Sequence, residues 1–371
     1  MMLATGSCLS WRNFNLGPPC LPLASVKAVV SSGVWFNRSN TISPLSCSAR
    51  TSVPDTAQIQ SSTALNPWSE FAGNVSGEWD GFGAEFSSEG QPIELPESVV
   101  PEAYREWEVK VFDWQTQCPT LAQPLEPPTM VYKSIKLLPT VGCEADAATR
   151  HSIDERTIGG GGADSDNCFS ASAFGYSDTG SYVAVWPLEN DNDNNNNLLE
   201  VEHCLINPND KESRVRIYQV VRLVETRMVL QGIKVFREQW DGPFRNGDQL
   251  GGCAIRDTGF ASTPTTPASE VVGAWTGLHS AAAIDAFDSS CSIQQVRDKK
   301  GMESVRDERD IVLLPKGLWC SLKENSASET VSAVGWLYEQ GRAVTSRCVF
   351  SCDSKLKEIS IGKETAESNA R

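Results

Sequence analysis

The sequence predicts an all-β protein made of two tandem antiparallel β-barrels. A Gly-x-Trp-x-Gly motif stands twice, first at residues 77–81 and again at residues 273–277. Each copy heads a series of short segments that are rich in Val, Ile, Tyr, Phe and Trp and are separated by Gly, Pro and Asn-rich turns. A motif that recurs in this way is typical of a duplicated β-rich module.

The motif itself predicts how each barrel is closed. Glycine lets a strand bend or lets another backbone approach closely, and a tryptophan between two glycines covers one end of a small barrel with a large apolar surface. A role at the barrel floor is therefore assigned to Gly77, Trp79 and Gly81 in the first module and to Gly273, Trp275 and Gly277 in the second.

Residues 1–50 have the composition of an organelle transit peptide. They contain four basic residues and nine serines, and no acidic residue precedes Asp55. Pro18 and Pro19 interrupt the apolar core that a secretory signal would need, and the Ser and Pro content favours a plastid over a mitochondrion. We expect a chloroplast protein, in the stroma or peripheral to the thylakoid, with residues 51–65 as a disordered linker.

Charge and cysteine content exclude several classes of function. The whole chain has a formal charge of −15, and the leader contributes +4, so the remainder is near −19. Such a chain is a poor ligand for nucleic acid, and no run of 18 apolar residues predicts a transmembrane segment. The nine cysteines outside the leader form no Cys-x-x-Cys pair, so we expect neither a metal site nor a cofactor.

The first module is predicted over residues 66–250. Its strands are expected at residues 77–87, 104–114, 129–138, 168–175, 180–188, 198–206, 213–224 and 228–239. Eight strands suit a meandering barrel, with the clearest hairpin turning near Thr226. Residues 142–166 and the Asn-rich residues 190–197 are interpreted as loop insertions.

A linker is predicted over residues 251–269, and a smaller second barrel over residues 270–366. Because a barrel's interior grows with the number of its strands, only the first is expected to leave a cavity. The aromatic residues that could line this cavity are Trp107, Phe112, Trp114, Tyr132, Phe174, Tyr182 and Trp186. Strand alternation allows only about half of them to point inward.

Several segments resemble an uncharacterised calycin-type family that pairs two lipocalin-like barrels and is found in cyanobacteria and plant plastids. In the second module these are Ile-Val-Leu-Leu-Pro-Lys-Gly at residues 311–317 and Val-Gly-Trp-Leu at residues 334–337. In the first module they are the opening motif and Phe-Arg-Glu at residues 236–238. The resemblance covers about residues 66–366.

The resemblance also implies a partner for each opening tryptophan. In calycins a basic side chain near the last strand packs over this tryptophan, an arrangement that a cation–π contact stabilises. It implies Arg237 or Arg214 for Trp79. For Trp275 it implies Arg347 or Lys363.

Nothing in the sequence favours catalysis, since the chain has three histidines and no nucleophile elbow. One hypothesis is a soluble plastid carrier that binds a small apolar ligand such as a fatty acid, carotenoid or tetrapyrrole. A second, from the similarity to lipocalin-like bilin lyases, is an assembly or chromophore-attachment factor with a plastid protein as its partner. A third is a scaffold whose barrels are filled by their own side chains.

Overall fold

The computed structural model confirms the all-β class, with 61% of the described residues in strands. It describes residues 66–141, 149–159, 169–188, 197–225, 227–248, 259–284 and 291–367. The predicted transit peptide, the linker over residues 51–65 and Thr226 therefore lie outside the described residues. So do most of the Asn-rich insertion, the glycine-rich residues 160–166 and part of the linker at residues 251–258.

Twelve described strands form one curled sheet, mostly antiparallel. Its strands from the first half of the chain are β1 Glu78–Ser87, β2 Asp113–Gln117, β3 Thr120–Gln123, β4 Thr129–Leu137, β5 Arg150–Gly159, β6 Phe169–Ser170, β7 Ala173–Tyr176, β8 Tyr182–Leu188, β9 Asn197–Asn207, β10 Asp210–Val224 and β11 Arg227–Gly242. The twelfth strand, Ser292–Gln295, comes from the second half of the chain. β10 and β11 form the expected hairpin, in which Arg216 pairs with Phe236.

The second sheet has seven described strands. The strands of the second half are β12 Gly273–Ala283, β13 Ser292–Gln295, β14 Asp298–Arg306, β15 Val312–Leu313, β16 Leu318–Glu324, β17 Thr330–Glu339, β18 Arg342–Phe350 and β19 Leu356–Ala366. The sheet order is β14-β12-β19-β18-β17-β16-β15. β13 leaves this sheet and pairs in parallel with β7, so a strand from the predicted second module completes the first sheet.

A short helix precedes each opening strand, and the sequence-based assignment missed both. α1 spans Pro67–Val75, begins with Asn66 accepting a hydrogen bond from the Trp68 backbone, and buries Trp68, Phe71 and Val75. α3 spans Ala268–Val271, across the predicted boundary between the linker and the second barrel, and buries Val271. These helices set the backbone carbonyls that the tryptophans of the two motifs contact.

Two strand assignments in the first half were wrong. The predicted strand at residues 104–114 is mostly the helix α2, Glu102–Glu106, and a loop, and β2 begins only at Asp113. The predicted loop at residues 142–166 contains the strand β5. β5 escaped recognition because only Arg156 and Ile158 on it are buried, so it lacks the apolar alternation that marks a strand.

The two sheets pack against each other through apolar faces. One core cluster joins Leu205 and Ile217 of the first sheet to Cys320 and Val334 of the second. Another joins Val183, Val185 and Val201 to Cys348, Phe350 and Ile359. Side chains alternate between the two faces of β9 and β10. His203, Ile217 and Gln219 face the second sheet. Glu202, Arg216 and Tyr218 face the interior of the first sheet. The two halves therefore share their core.

Candidate functional site

The interior of the first sheet centres on a buried carboxylate, Glu202 of β9. Its Oε1 atom accepts hydrogen bonds from the hydroxyls of Tyr182 and Tyr218, both at 2.8 Å. Its Oε2 atom accepts from the Tyr132 hydroxyl at 2.5 Å and from the Trp186 indole N–H at 2.9 Å. All five side chains are buried. The sequence-predicted residues Tyr132, Tyr182 and Trp186 therefore converge on a residue that the sequence analysis did not single out.

The tyrosines in this cluster are held as neutral donors. Burial, with the Glu202 carboxylate as the next cause, raises the pKa of Tyr132 and Tyr182 well above its ordinary value. Burial likewise raises the pKa of Tyr218. Four donors at 2.5–2.9 Å occupy the two carboxylate oxygens, so Glu202 is poorly placed to accept a proton from a substrate. This geometry suits a stabilising polar core better than a general base.

Charged pairs extend the cluster along the same interior. Arg156 of β5 donates to Glu200 at 2.7 Å, and its guanidinium lies over the rings of Trp186 and Tyr218. Lys234 reaches the other oxygen of Glu200 at 2.6 Å. Burial would raise the pKa of Glu200, but these two cations lower it overall, so the carboxylate is ionised. Paired charges thus fill space that the sequence analysis assigned to an apolar cavity.

The sequence did hold a signal for these charges. Glu200 and Glu202 are two residues apart in β9, which places them on one face of the strand, alternating with Leu199, Val201 and His203 of the other face. Arg214 and Arg216 have the same spacing in β10. Charged residues alternating with apolar ones normally indicate a solvent-facing side, and here that side faces inward.

At the floor of the first sheet, Arg214 stacks on the motif tryptophan. The guanidinium carbon of Arg214 lies 4.2 Å from the Trp79 ring centroid, and the Trp79 indole donates to the Val75 carbonyl at 2.9 Å. Glu238 accepts from Arg214 at 2.6 Å and from Arg216 at 2.7 Å. Burial would raise the pKa of Glu238, but the two arginines lower it overall.

The resemblance implied Arg237 or Arg214 as the partner of Trp79, and in the structure the partner is Arg214. Arg237 pairs with Phe82 in the β1–β11 ladder and so lies on the opposite face of β11 from Glu238. Gly81 stands opposite Glu238, and a Cβ atom at Gly81 would lie 1.8 Å from the Arg237 carbonyl oxygen. The motif glycine is therefore required by the close approach of the closing strand.

The second sheet has the same floor, except that its arginine comes from a different strand. The Trp275 indole donates to the Val271 carbonyl at 2.8 Å, and Gly277 stands opposite Glu364. The stacked cation is Arg306 of β14, whose guanidinium carbon lies 4.1 Å from the Trp275 ring centroid. Arg306 also donates to Glu364. The arrangement of tryptophan, glycine, arginine and glutamate is thus duplicated.

The predicted partners Arg347 and Lys363 of Trp275 were wrong, and the register gives the reason. Ala343 pairs with Glu364 in the way that Arg214 pairs with Glu238, so β18 offers no cation at this position. The guanidinium comes instead from β14, on the other side of the opening strand. Arg347 contacts the Met302 sulfur, and Lys363 is exposed on the outer face.

Of the other four predicted ligand residues, Phe174 belongs to the same apolar cluster as Tyr132, Tyr182 and Trp186. The other three, Trp107, Phe112 and Trp114, lie apart from this interior. Trp107 follows α2 and is 61% exposed. Trp114 is buried in a peripheral cluster and stacks on His151, and Phe112 packs against the apolar cluster between the sheets. Phe174 is buried among Trp68, Phe71, Tyr176 and Tyr182. The seven aromatic residues therefore do not form one surface.

A cleft of about 930 Å³ lies between the two sheets. One wall is the turn after β7 and the β9–β10 connection, and the other is formed by β12, β19 and the start of β14. Its volume falls in the range of about 300–1,000 Å³ that is usual for small-molecule sites. Buried Ile206, Val296, Val344 and Ile361 give it an apolar base, and Leu278, 67% exposed, lies beside them.

Four cations stand at the rim of this cleft: Lys211, Arg297, Lys299 and Lys363. Asp178 is the one carboxylate among its described lining residues. No ion pair ties Lys211, Lys299 or Lys363 within the described chain. Since the whole protein carries a formal charge of −15, a cleft with this excess of positive charge stands out against its surroundings and favours an anionic ligand.

The described residues contain neither a metal-binding cluster nor a membrane-spanning helix. No group of three or more His, Cys, Asp or Glu side chains there is arranged to hold a metal ion. Among the helices that the structure describes, none has the length and apolar character needed to cross a membrane.

Known proteins resemble this chain in fold rather than in sequence. No family model matches the sequence, and no curated protein matches it. The fold is similar to the crystal structure of a protein of unknown function of the DUF3598 family from Nostoc punctiforme, a cyanobacterium. The likeness has a TM-score of 0.45 and 13% identity, and it covers 81% of this chain and 99% of the other.

Proposed function

We propose that this protein binds a small amphipathic acid, with an apolar body and an anionic head, in the cleft between its two sheets. The observation that carries the proposal is the combination of an apolar base with a cationic rim on a strongly acidic protein. The apolar residues would hold an acyl or polyene body, and the cations would pair with its carboxylate. A fatty acid or a carboxylated tetrapyrrole has this character.

The cleft is a better place for this ligand than the interior of the first sheet. There Tyr132, Tyr182 and Trp186 already direct their polar atoms at Glu202. An apolar molecule would have to displace buried, mutually satisfied polar groups, which is unfavourable. The cleft requires no such displacement, because its apolar side chains already meet open space.

The duplicated floor also supports the proposal that the two sheets are calycin-like modules. In each, a tryptophan contacts the carbonyl of the residue four positions earlier, an arginine stacks on its ring and a glutamate of the closing strand accepts from the arginine. With the composition of residues 1–50, this supports a carrier that works in the plastid.

Binding can be tested with a fluorescent sixteen-carbon fatty acid and the alcohol of the same chain length. The acid should bind more tightly, and Lys299→Gln should weaken the acid by about two- to fivefold, as expected for an exposed ion pair of up to about 1 kcal/mol. The alcohol should be unaffected by this change.

Lys300→Gln is the matched control. Lys300 is the next residue on β14, is also exposed and does not line the cleft. Equal losses in both variants, or equal affinity for acid and alcohol, would contradict an anion-selective cleft. Absence of binding for both probes would favour the hypothesis of a scaffold.

A further inference from the structure

The inner face of the second sheet, defined as the face that carries Trp275, holds buried polar atoms without a hydrogen-bond partner. They are the Nη1 atom of Arg306, the Nδ1 atom of His279, the Nε1 atom of Trp319 and the Oγ atom of Ser304. Polar atoms buried in folded proteins are nearly always paired, so a concentration of exceptions on one face indicates a place for a further polar group.

Ring contacts, strand pairing and a shared glutamate bring these four side chains into one neighbourhood. The guanidinium carbon of Arg306 lies between two indoles, 4.1 Å from the Trp275 ring centroid and 4.4 Å from that of Trp319. Ser304 pairs with Trp275 in the ladder of β12 and β14. Arg306 and His279 both contact Glu364. His279, Arg306 and Trp319 are each more than nine-tenths buried.

Among the described residues, the floor of the first sheet lacks the histidine of this cluster, although Thr116, Arg156 and Arg214 of that sheet also leave a buried polar atom unpaired. His279 stands four residues after its motif tryptophan, and the corresponding residue of the first module is Gly83. Phe236 fills the space beside Gly83, whereas Gly362 makes room for the His279 ring. A titratable side chain has therefore replaced an apolar one at this position of the repeat.

Hydrogen bonding defines which nitrogen of His279 carries the proton. Glu364 Oε1 lies 2.9 Å from His279 Nε2, and Arg306 donates to the other carboxylate oxygen. Burial would raise the pKa of Glu364, but these two partners lower it overall, so Glu364 is ionised and Nε2 must be the donor. In neutral His279 the Nδ1 atom then carries a lone pair that no described donor contacts.

We propose that this inner face binds the carboxylate group of a small monocarboxylic acid, as a second site that is independent of the cleft. Arg306 Nη1 and Trp319 Nε1 donate to the carboxylate oxygens. Glu364 already neutralises the charge of Arg306, so the incoming anion is balanced by protonation of His279 at Nδ1. The one proton taken up by His279 balances one negative charge on the ligand, so a monoanion is favoured over a phosphate dianion.

The ligand enters along β14, which is the edge strand of the described second sheet. An edge strand is held by ladder hydrogen bonds on one side only. Met302 and Ser304 are half-buried on its inner side, and Val305 on its outer side is 73% exposed.

The test is a titration of the full chain, labelled with ¹⁵N at its tryptophans, with sodium propionate. The indole N–H resonance of Trp319, identified by its loss in Trp319→Phe, should shift and saturate, while that of exposed Trp107 stays in place. Affinity should weaken by up to about tenfold per pH unit as pH rises, the slope for uptake of one proton. A Trp319 resonance that is unmoved, or moved equally by sodium chloride, would overturn the proposal.

His279→Gln separates the proton-linked site from a merely structural role. The glutamine amide can still donate to Glu364, so the fold is retained, but the lone pair at Nδ1 is lost. Propionate should bind this variant more weakly and without a pH slope. An unchanged slope would refute the role of His279. Lys299→Gln, in the cleft, should titrate like the unaltered protein, so that failure of either site is recognised separately.

Discussion

Arg214 stacks on Trp79 with 4.2 Å between its guanidinium carbon and the ring centroid, and Arg306 stacks on Trp275 at 4.1 Å. The two arginines come from opposite sides of their opening strands, yet each donates to a glutamate of the closing strand, Glu238 or Glu364. The geometry of the floor is thus duplicated although its cation is not at an equivalent position.

Loss of the floor tryptophan should destabilise the protein strongly. Trp79 is 1% exposed, and we expect Trp79→Ala to reduce the free energy of unfolding by about 3–5 kcal/mol, a large share of a domain's stability. Thermal unfolding followed by circular dichroism measures this. Trp107→Ala is the control, since that indole is 61% exposed, and a similar fall in Tm for both variants would argue against a structural floor.

Removal of the charge on Glu202 should be nearly as severe. In Glu202→Gln the amide nitrogen would face phenol and indole donors, and Arg216 would lose a carboxylate that lies 3.4 Å away. We expect a loss of about 3–5 kcal/mol, typical of a broken buried ion pair, measured by urea unfolding. Glu212→Gln on the same hairpin removes an exposed carboxylate and should change stability little.

The interface between the sheets should make stability depend on pH through His203. Its Nδ1 lies 2.8 Å from Ser346 Oγ and its Nε2 3.1 Å from Ser332 Oγ, and burial lowers its pKa to about 3. The folded pKa is below the ordinary value of about 6.5, so the unfolded chain takes up the proton first. The stability that comes from burying neutral His203 is fully present above a pH of about 6.5 and is lost as the pH falls toward about 3.

His203→Gln isolates this contribution. Between pH 6.5 and 4.5 the free energy of unfolding of the unaltered protein should fall, relative to the variant, by up to about 1.4 kcal/mol per pH unit. Urea unfolding at a series of pH values measures the difference. Parallel pH profiles for the two proteins would contradict the burial of a neutral His203.

The N-terminus offers a test of the proposed plastid location. The leader is basic and free of acidic residues up to Asp55, so we expect the accumulated protein to begin between about residues 45 and 65. Mass spectrometry of the N-terminal peptide from plastids measures this directly. An intact Met1 on the accumulated protein would contradict a cleaved transit peptide.

The sequence predicted the strands that have a clear apolar pattern and missed the strands that lack one. β9 to β11 were found because their apolar residues recur at alternate positions, and β8 because it is a continuous apolar run. β5 and β14 are largely polar and exposed. The floor was predicted from its repeated glycines and tryptophans. The cation of the second floor was not, because it depends on the pairing of β14 with β12, which no local pattern encodes. The cleft likewise depends on how two distant segments face each other.

The shared core leads to a final expectation, that neither half folds well alone. Residues 66–262 would expose Leu205, Ile217 and the rest of the face that Cys320 and Val334 cover. They would also lack β13, which completes the first sheet beside β7. Exposed apolar surface of this kind destabilises the chain by about 25 cal/mol for each Å² and promotes aggregation. Expressed separately, residues 66–262 and 268–366 should each aggregate on size-exclusion chromatography, and expressed together they should elute as one complex. If residues 66–262 elute alone as a monomer that unfolds cooperatively, the interface between the sheets is not needed for stability.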